Sequence, residues 1–479
     1  MAVLNHSIPI FRYFEEICQI PHGSFEEQRV ADYVEQFAKE KGLSVVRDQM
    51  NNLVIYKDGS AGKENLPPLM LQAHMDMVNE KNQGCSHDFS ADPLDLYVED
   101  GWLRARGTTL GGDDGYGVAY MMALLADDTL VHPPLVCVFT VQEEVGLCGA
   151  MGLDPALLKA DRLINLDADV EGNVFVSSSG GRDVLVTRHL DWLKNDAAVY
   201  ELDIKGLLGG HSGGEIHKER GNANKIAARI LLSMLRAGLD VQLTDFTGGL
   251  KDNAIPRECR CTFASASGEE ALQAVVEQCR KDLKEELAFS DSGLQINLTE
   301  GGHKAETAVS RADTASVVSL MFLAPNGMQA KSMAIEGLTT VSLNLGVVRI
   351  TDGSLVLHFS LRSPMLSARE ELTWKLELLS KVYGAECQVK NDYPGWNYDD
   401  ASALRKAFAE YYENAAGKAI VEEATHGGLE TGVFKGYNEN LDIISVGPEI
   451  LDLHTPDERM NLESFVRVYD ILRGFIETL

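Results

Sequence analysis

Apolar residues recur at helical spacing in FEEQRVADYVEQFAKEKG, at Val30, Tyr33, Val34 and Phe37, which predicts a helix that ends at Gly42. The next stretch, LSVVRDQMNNLVIYK, reads as paired strands around an Asn-Asn turn. PPLMLQAHMDMV reads as a buried strand. GYGVAYMMALLADD is apolar on nearly every face, which predicts a buried helix. PPLVCVFTVQ and DRLINLDAD add two more strands. Strands alternating with helices predict an α/β fold whose mainly parallel sheet is flanked by helices.

From about residue 187 the texture changes. VYELDIKG and CRCTFASA read as strands, NANKIAARILLSMLRAG and GEEALQAVVEQCRKDLKEELA as helices. A similar alternation recurs from about residue 293 to 390, ending with LVLHFSLRS and the helix AREELTWKLELLSKVYG. This middle region reads as an inserted α+β domain, with two tandem α/β sandwich units as one arrangement of it. After NDYPGWNYDD the helix SALRKAFAEYYENAAG and the strand LDIISVG return to the first texture. The expected organisation is therefore a first domain in two segments, 1–186 and 391–479, around an insertion at 187–390.

A length of 479 residues allows about three domain-sized units. Hydrophobic content of 45% and charged content of 24% are ordinary for a globular chain. The net charge of -29 excludes a nucleic-acid partner, since phosphate binding needs a basic surface. The N-terminus has no basic stretch followed by an apolar one, so it is not a secretory signal. No apolar run reaches the ~18 residues of a membrane span. Among 8 cysteines the closest pair is Cys259 and Cys261, and no CxxC…CxxC spacing marks a structural zinc site. The expectation is a cytoplasmic protein with free thiols and no membrane partner.

Residues of metal-ligand type gather at strand ends. LQAHMDM places His74 and Asp76 two apart on a strand, on one face. GTTLGGDDGYG places Asp113 and Asp114 in a glycine-rich turn before the buried helix. TVQEEVG provides Glu143 and Glu144, LINLDAD provides Asp167, and SVGPEILDLHTPDE provides His454. Each lies at or just past the C-terminal end of a predicted strand, the edge where open α/β sheets place their sites. Taken singly, a strand histidine is ordinarily a satisfied core residue, Asp-Asp-Gly a turn, and Glu-Glu a solvated face. Together at one edge, the carboxylates would repel unless cations sit among them. Imidazoles and carboxylates without cysteine suit Zn²⁺, Mn²⁺ or Co²⁺.

The same residues carry a resemblance. HMDM, GTTLGGDDGYG, EEVGLCGAMGL, LINLDAD and HTPDERMNLESF, in that order, resemble the two-zinc exopeptidases of the aminoacylase/carnosinase metallopeptidase family. GGHSGGEIHKERGNANK, NAIPRE, YPGW and HGGLETGVF narrow it to the bacterial aminoacyl-histidine (Xaa-His, cytosolic non-specific) dipeptidases. The match runs nearly end to end. It implies a catalytic domain with an inserted lid, two divalent ions per chain with zinc favoured over manganese or cobalt, and hydrolysis of unblocked dipeptides. By resemblance Asp113 bridges both ions, His74 and Asp167 complete one site, and Glu144 and His454 complete the other. Asp76 resembles the carboxylate that orients His74 through its other ring nitrogen, and Glu143 the general base. Two metals about 3.5–4 Å apart can share a hydroxide and polarise a scissile carbonyl.

The insertion holds a second set. KGLLGGHSGGEIH lacks the GK[ST] of a phosphate loop, and EIHKER lacks the second histidine of HExxH. By resemblance His211 meets the reacting carbonyl oxygen. Asn253 and Arg362 resemble lid residues that hold the substrate carboxylate or the oxyanion, and Gly427 and Gly428 offer backbone N–H groups to that carboxylate. His217 reads as surface. The partners implied are small dipeptides and a second copy through the lid, a role that a doubled lid could mimic within one chain. Two alternatives remain open: a tripeptide aminopeptidase or N-acyl-amino-acid deacylase with the same chemistry, and a catalytically silent metal-binding scaffold. A scaffold has no need of a base such as Glu143.

Overall fold

The computed structural model describes residues 2–301 and 304–479. It divides into two compact units. One comprises Met1–Ser177, Trp396–Ala424 and Leu429–Leu479, the other Ser178–Gly395 and Thr425–Gly428. These boundaries differ from those read in the sequence. Residue 187 lies inside the strand Gly180–His189 and residue 390 inside the strand Glu386–Tyr393, so both composition shifts fall within continuous elements of the second unit. The return of four residues, Thr425–Gly428, to the second unit has no counterpart in the sequence reading.

The first unit is built on an eight-stranded sheet. Its order is Ser44–Arg47, Leu53–Lys57, Leu135–Thr140, Leu69–His74, Arg162–Asn165, Asp442–Ser445, Asn173–Ser178, Val421–Thr425. The four strands from Leu135–Thr140 to Asp442–Ser445 are parallel, and the first two pair antiparallel at the edge. Leu69–His74 and Leu135–Thr140 are buried at every residue, as expected of parallel strands covered on both faces. Between them the chain crosses over through the helix Gly112–Ala126, which is buried all round its middle. The terminal helix Leu462–Thr478 stacks Phe465 on Tyr120 of that crossover helix, with ring centroids 5.0 Å apart. A four-stranded sheet, ordered Ile450–Leu451, Arg459–Asn461, Trp102–Ala105, Leu96–Glu99, carries His454 in the connection between its first two strands.

The second unit is one antiparallel sheet of nine strands. Its path runs Gln295–Glu300, Ala198–Lys205, Cys259–Ser265, Gln242–Gly248, Thr339–Thr351, Ser354–Ser363, Gly180–His189, Glu386–Tyr393, and Gly327–Lys331 pairs off it onto Thr339–Thr351. The two strand-and-helix halves expected as tandem sandwich units share this one sheet. Thr247 pairs with Arg349 and Gly248 with Val348, so the two halves join edge to edge. One apolar core runs from Val184 to Leu376 through both. Joining the edges satisfies backbone N–H and C=O groups that two separate sheets would leave open. Among the described residues no helix is long and apolar enough to cross a membrane. The cysteines are free thiols, with Cys259 and Cys261 buried.

Candidate active site

Strand register assembles the site. The parallel pairing sets His74 level with Thr140 and Gln72 level with Asn165. Asp167, two residues past Asn165, thereby rises beside His74, with Oδ1 4.0 Å from His74 Nε2. Asp113 stands between two imidazoles. Its Oδ1 lies 2.9 Å from His74 Nε2 and its Oδ2 3.2 Å from His454 Nε2. Glu144 Oε1 is 3.1 Å from His454 Nε2. The sequence expectation extended the His74 strand through Asp76, but the strand ends at His74 and the chain turns.

Three carboxylates hold the turns that carry these residues. Glu458 accepts the N–H groups of Leu110, Gly111 and Gly112, at 2.7, 3.2 and 2.8 Å, immediately before Asp113. Asp114, fully buried, accepts from the His74 and Gly117 N–H groups at 3.1 and 3.2 Å. Asp76 is buried as well. Its carboxylate accepts the Glu143 N–H at 3.0 Å, the Glu144 N–H at 3.4 Å and the Ser24 hydroxyl at 2.8 Å.

The backbone carbonyl of Asp76 lies 2.9 Å from His74 Nδ1, and its carboxylate 3.5 Å from the same nitrogen. A carbonyl can only accept, so Nδ1 carries a proton, and Nε2 faces Asp113 and Asp167. Glu143 is partly buried, and among the described residues no hydrogen bond is made to its carboxylate.

The charges are unbalanced in a way that asks for cations. Desolvation raises Glu143 and Asp167 well above the ordinary carboxyl range, and the neighbouring carboxylates add to the effect. Desolvation likewise raises Asp114. Asp113 goes the other way. Burial opposes its ionisation, but hydrogen bonds from His454 and His74 outweigh that and hold it low. His454 is raised to about 11 by its bonds to Asp113 and Glu144. The buried Asp167 Oδ2 lacks any hydrogen-bond partner. At this site two sets of ligand atoms lie within 4.8 Å of one another: His74, Asp113 and Glu144, and His74, Asp114 and Asp167. Nitrogen and carboxylate oxygen donors, unpartnered and crowded, fit divalent cations of the zinc type.

In the second unit His211 pairs across from Ala254, and the Ser212 N–H donates to the Asn253 carbonyl at 2.8 Å, so His211 and Asn253 are neighbours. The Gly214 N–H donates to His211 Nδ1 at 3.1 Å. That leaves Nε2 as the protonated nitrogen of a neutral ring, and desolvation and the Arg362 charge lower its pKa. His217 is exposed. Arg362 is buried, with its Nη1 donating to the Tyr393 hydroxyl at 3.3 Å and its Nε without a partner. The Gly427 N–H is committed to Thr425 Oγ1 at 2.9 Å. The Gly428 N–H makes no hydrogen bond among the described residues.

A family model, described as peptidase family M20/M25/M40, matches residues 70–478. The chain belongs to this family. A cytosol non-specific dipeptidase of Escherichia coli K12 is 40% identical over 475 residues, covering 98% of this chain and 97% of that protein. The crystal structure of an aminoacylhistidine dipeptidase from Vibrio alginolyticus superimposes with a TM-score of 0.91 at 35% identity, covering 98% of this chain and 96% of that one. Aminopeptidase PepT from Bacillus cereus, at 16% identity and a TM-score of 0.56 over 99% of both chains, shares the fold. The M20 peptidases are metal-dependent, and the two ligand sets above are where this chain could hold its metal.

Several residues of this M20 peptidase escaped the sequence reading. Glu458 lies within the HTPDE stretch that drew attention to His454, and its spacing carries no sign that it binds backbone N–H groups. Glu430 is fully buried and accepts from Thr140 Oγ1 at 2.6 Å; burial pushes its carboxyl up to about 7. Tyr393, Ser179, Ser342 and His426 surround Arg362 and the Gly427-Gly428 loop, a neighbourhood set by long-range strand pairing.

Proposed function

We propose that the chain hydrolyses the peptide bond of unblocked dipeptides, Xaa-His among them, at a pair of divalent cations with Glu143 as general base. It is a dipeptidase of the M20 metallopeptidase family. The observation that carries the mechanistic reading is the gathering of His74, Asp113, Glu144, Asp167 and His454 at one sheet edge beside Glu143, whose carboxylate is otherwise unengaged. His74 and Asp167 would hold one ion, Glu144 and His454 the other, and Asp113 both. Zinc suits the donors best, with manganese and cobalt next. When bound, such a pair activates water and polarises the scissile carbonyl.

Glu143 takes a proton from the attacking water, whose oxygen bonds to the carbonyl carbon. The C–N bond then breaks, and Glu143 returns the proton to the leaving amine nitrogen. Desolvation raises its carboxyl, which strengthens it as a base. His211, with Nδ1 occupied, donates its Nε2–H to the carbonyl oxygen as charge develops there. Asn253 stands next to it. Arg362, a buried cation without a carboxylate partner, and the free Gly428 N–H receive the substrate's α-carboxylate. The free thiols fit a cytoplasmic setting, and pairing of two copies through the inserted unit is part of the same proposal.

The test is release of free amino acids from a dipeptide panel before and after chelator treatment, with tripeptides and N-acyl amino acids alongside. Chelator-sensitive turnover of dipeptides is expected. Turnover confined to tripeptides or acylated amino acids would move the reading to those neighbours. Full activity in a demonstrably metal-free sample would overturn it.

A further inference from the structure

Arg362 lies in a row that crosses four adjacent strands. Ser342 is directly opposite it on one side and Gly181 on the other, and Tyr393 is opposite Gly181. Residues so paired present their side chains on one face. Gly181 has to be glycine, since a Cβ there would fall 2.3 Å from the Tyr393 ring. The ring fills that space and brings its hydroxyl to Arg362. Over this row sits His426. Its imidazole is 7% exposed, with Nε2 2.7 Å from Ser342 Oγ and Nδ1 2.9 Å from Ser179 Oγ. Ser342 and Ser179 belong to the chain on either side of the strand that carries Arg362, so the ring spans that strand from flank to flank.

The backbone adds to the clasp. The Ser179 N–H donates to the carbonyls of Gly427 and Thr425, at 2.8 and 3.2 Å. Gly428 packs so closely on Tyr393 that a Cβ would lie 2.8 Å from its ring. The Gly428 N–H and the Arg362 guanidinium, neither of which has an acidic partner among the described residues, are thus fixed through the same imidazole. The residue type matters at this place. An acidic side chain beside Arg362 would occupy the cation that the substrate needs, and a second cation would add to a charge that is already unpaired. A neutral imidazole bridges two hydroxyls and does neither. Desolvation and the Arg362 charge keep it neutral.

We infer that His426 is a positioning residue for recognition of the substrate's α-carboxylate, holding the Gly428 N–H and the Arg362 guanidinium as one anion cradle by bridging Ser179 and Ser342. This rests on the carboxylate reading of Arg362 given above. The test compares kcat and KM for a dipeptide and for its C-terminal amide in wild type, Arg362→Ala, His426→Ala, His426→Gln and His426→Glu, with thermal midpoint and metal content recorded for each. His426→Ala should raise KM for the dipeptide about tenfold or more and leave the amide within about twofold, so that the preference for the free acid collapses as it does in Arg362→Ala. Gln, neutral and able to bond both ways, should restore part of the preference. Glu, which would pair with Arg362, should remove it altogether. Should His426→Ala fail to fold, the contrast between Gln and Glu decides. Equal losses on dipeptide and amide, or an unchanged preference in His426→Glu, would overturn the inference while Arg362→Ala still upholds the carboxylate reading. An unchanged preference in Arg362→Ala would instead remove that reading, and the inference with it.

Discussion

The carboxylate of Asp76 accepts the backbone N–H of Glu143 at 3.0 Å. One buried group thereby joins the turn after His74 to the turn that presents both glutamates. Its other bonds, to the Glu144 N–H and the Ser24 hydroxyl, complete the joint. Replacing it with alanine leaves three partly buried donors without that acceptor. Asp76→Ala should lower stability by about 3 kcal/mol and weaken metal binding ~10–100-fold by loosening His74 and Glu144 together. Asp76→Asn, which keeps one acceptor oxygen, should lose less of both. Denaturant unfolding and metal titration of the two variants would check this. Normal metal affinity in the alanine variant would mean that the joint does not orient the ligands.

The two adjacent glutamates should separate by metal content. Glu144 directs Oε1 toward His454, while the Glu143 carboxylate is unengaged. Glu143→Ala is expected to keep its metal and to lose ~10²–10⁴-fold in rate, the range for a missing acid–base group. Glu144→Ala is expected to lose metal as well as rate. Mass-spectrometric metal analysis beside a dipeptide assay distinguishes them. A Glu143→Ala protein stripped of metal would reverse the roles.

Stability of the metal-stripped protein should fall as pH rises from about 6.5 to 9. His74 is raised by its bonds to Asp113 and Asp76, which outweigh its burial, and His454 is raised to about 11. The stability these contribute is full below the unfolded histidine pKa of about 6.5 and is lost on the way up to the folded values. Glu143, Asp114 and Asp167 are raised by desolvation, and burial pushes Glu458 up to about 7. Their folded forms also bind protons more tightly than the unfolded chain, so they act in the same direction. Asp113, held low, acts oppositely but only in strong acid. His22 and His426, buried and neutral, act only below about 6.5. Bound cations replace those protons, so the Tm increment from added metal should widen with pH, and metal binding near neutrality should release protons. Calorimetry with and without metal across this range reads both effects. A stripped protein that gains stability toward pH 9 would contradict the charge balance described.

The parallel core was legible because Leu69–His74 and Leu135–Thr140 are unbroken apolar runs and the helix between them is apolar all round. The candidate ligands were legible as charged residues where apolar runs stop. The single sheet of the inserted unit was not. It depends on Gly248 meeting Val348, a pairing between distant segments that leaves no local pattern. Glu458, and the hold of Asp76 on the Glu143-Glu144 turn, were hard to read for a different reason. They act on backbone N–H groups, and any neighbouring sequence supplies those. The row of Ser342, Arg362, Gly181 and Tyr393 exists only once strand register is known, since a slip of one residue would turn each side chain to the other face.

His211 should contribute to rate with little effect on metal. The Gly214 N–H fills its Nδ1, so the ring offers one donor, Nε2–H, and desolvation and the Arg362 charge keep it from taking a second proton. A neutral donor that strengthens its bond as the carbonyl oxygen becomes negative lowers the barrier without tightening substrate binding equally. His211→Ala is therefore expected to cost ~10²–10³-fold in kcat, the range for one missing oxyanion donor, with KM changed much less. Metal content and Tm should match wild type, because all five proposed ligands lie in the other unit. His211→Gln, which retains an N–H donor, should recover part of the rate. Steady-state kinetics with metal analysis on both variants tests this. A His211→Ala protein that loses metal would make His211 a ligand, and one with unchanged kcat would remove it from the reaction.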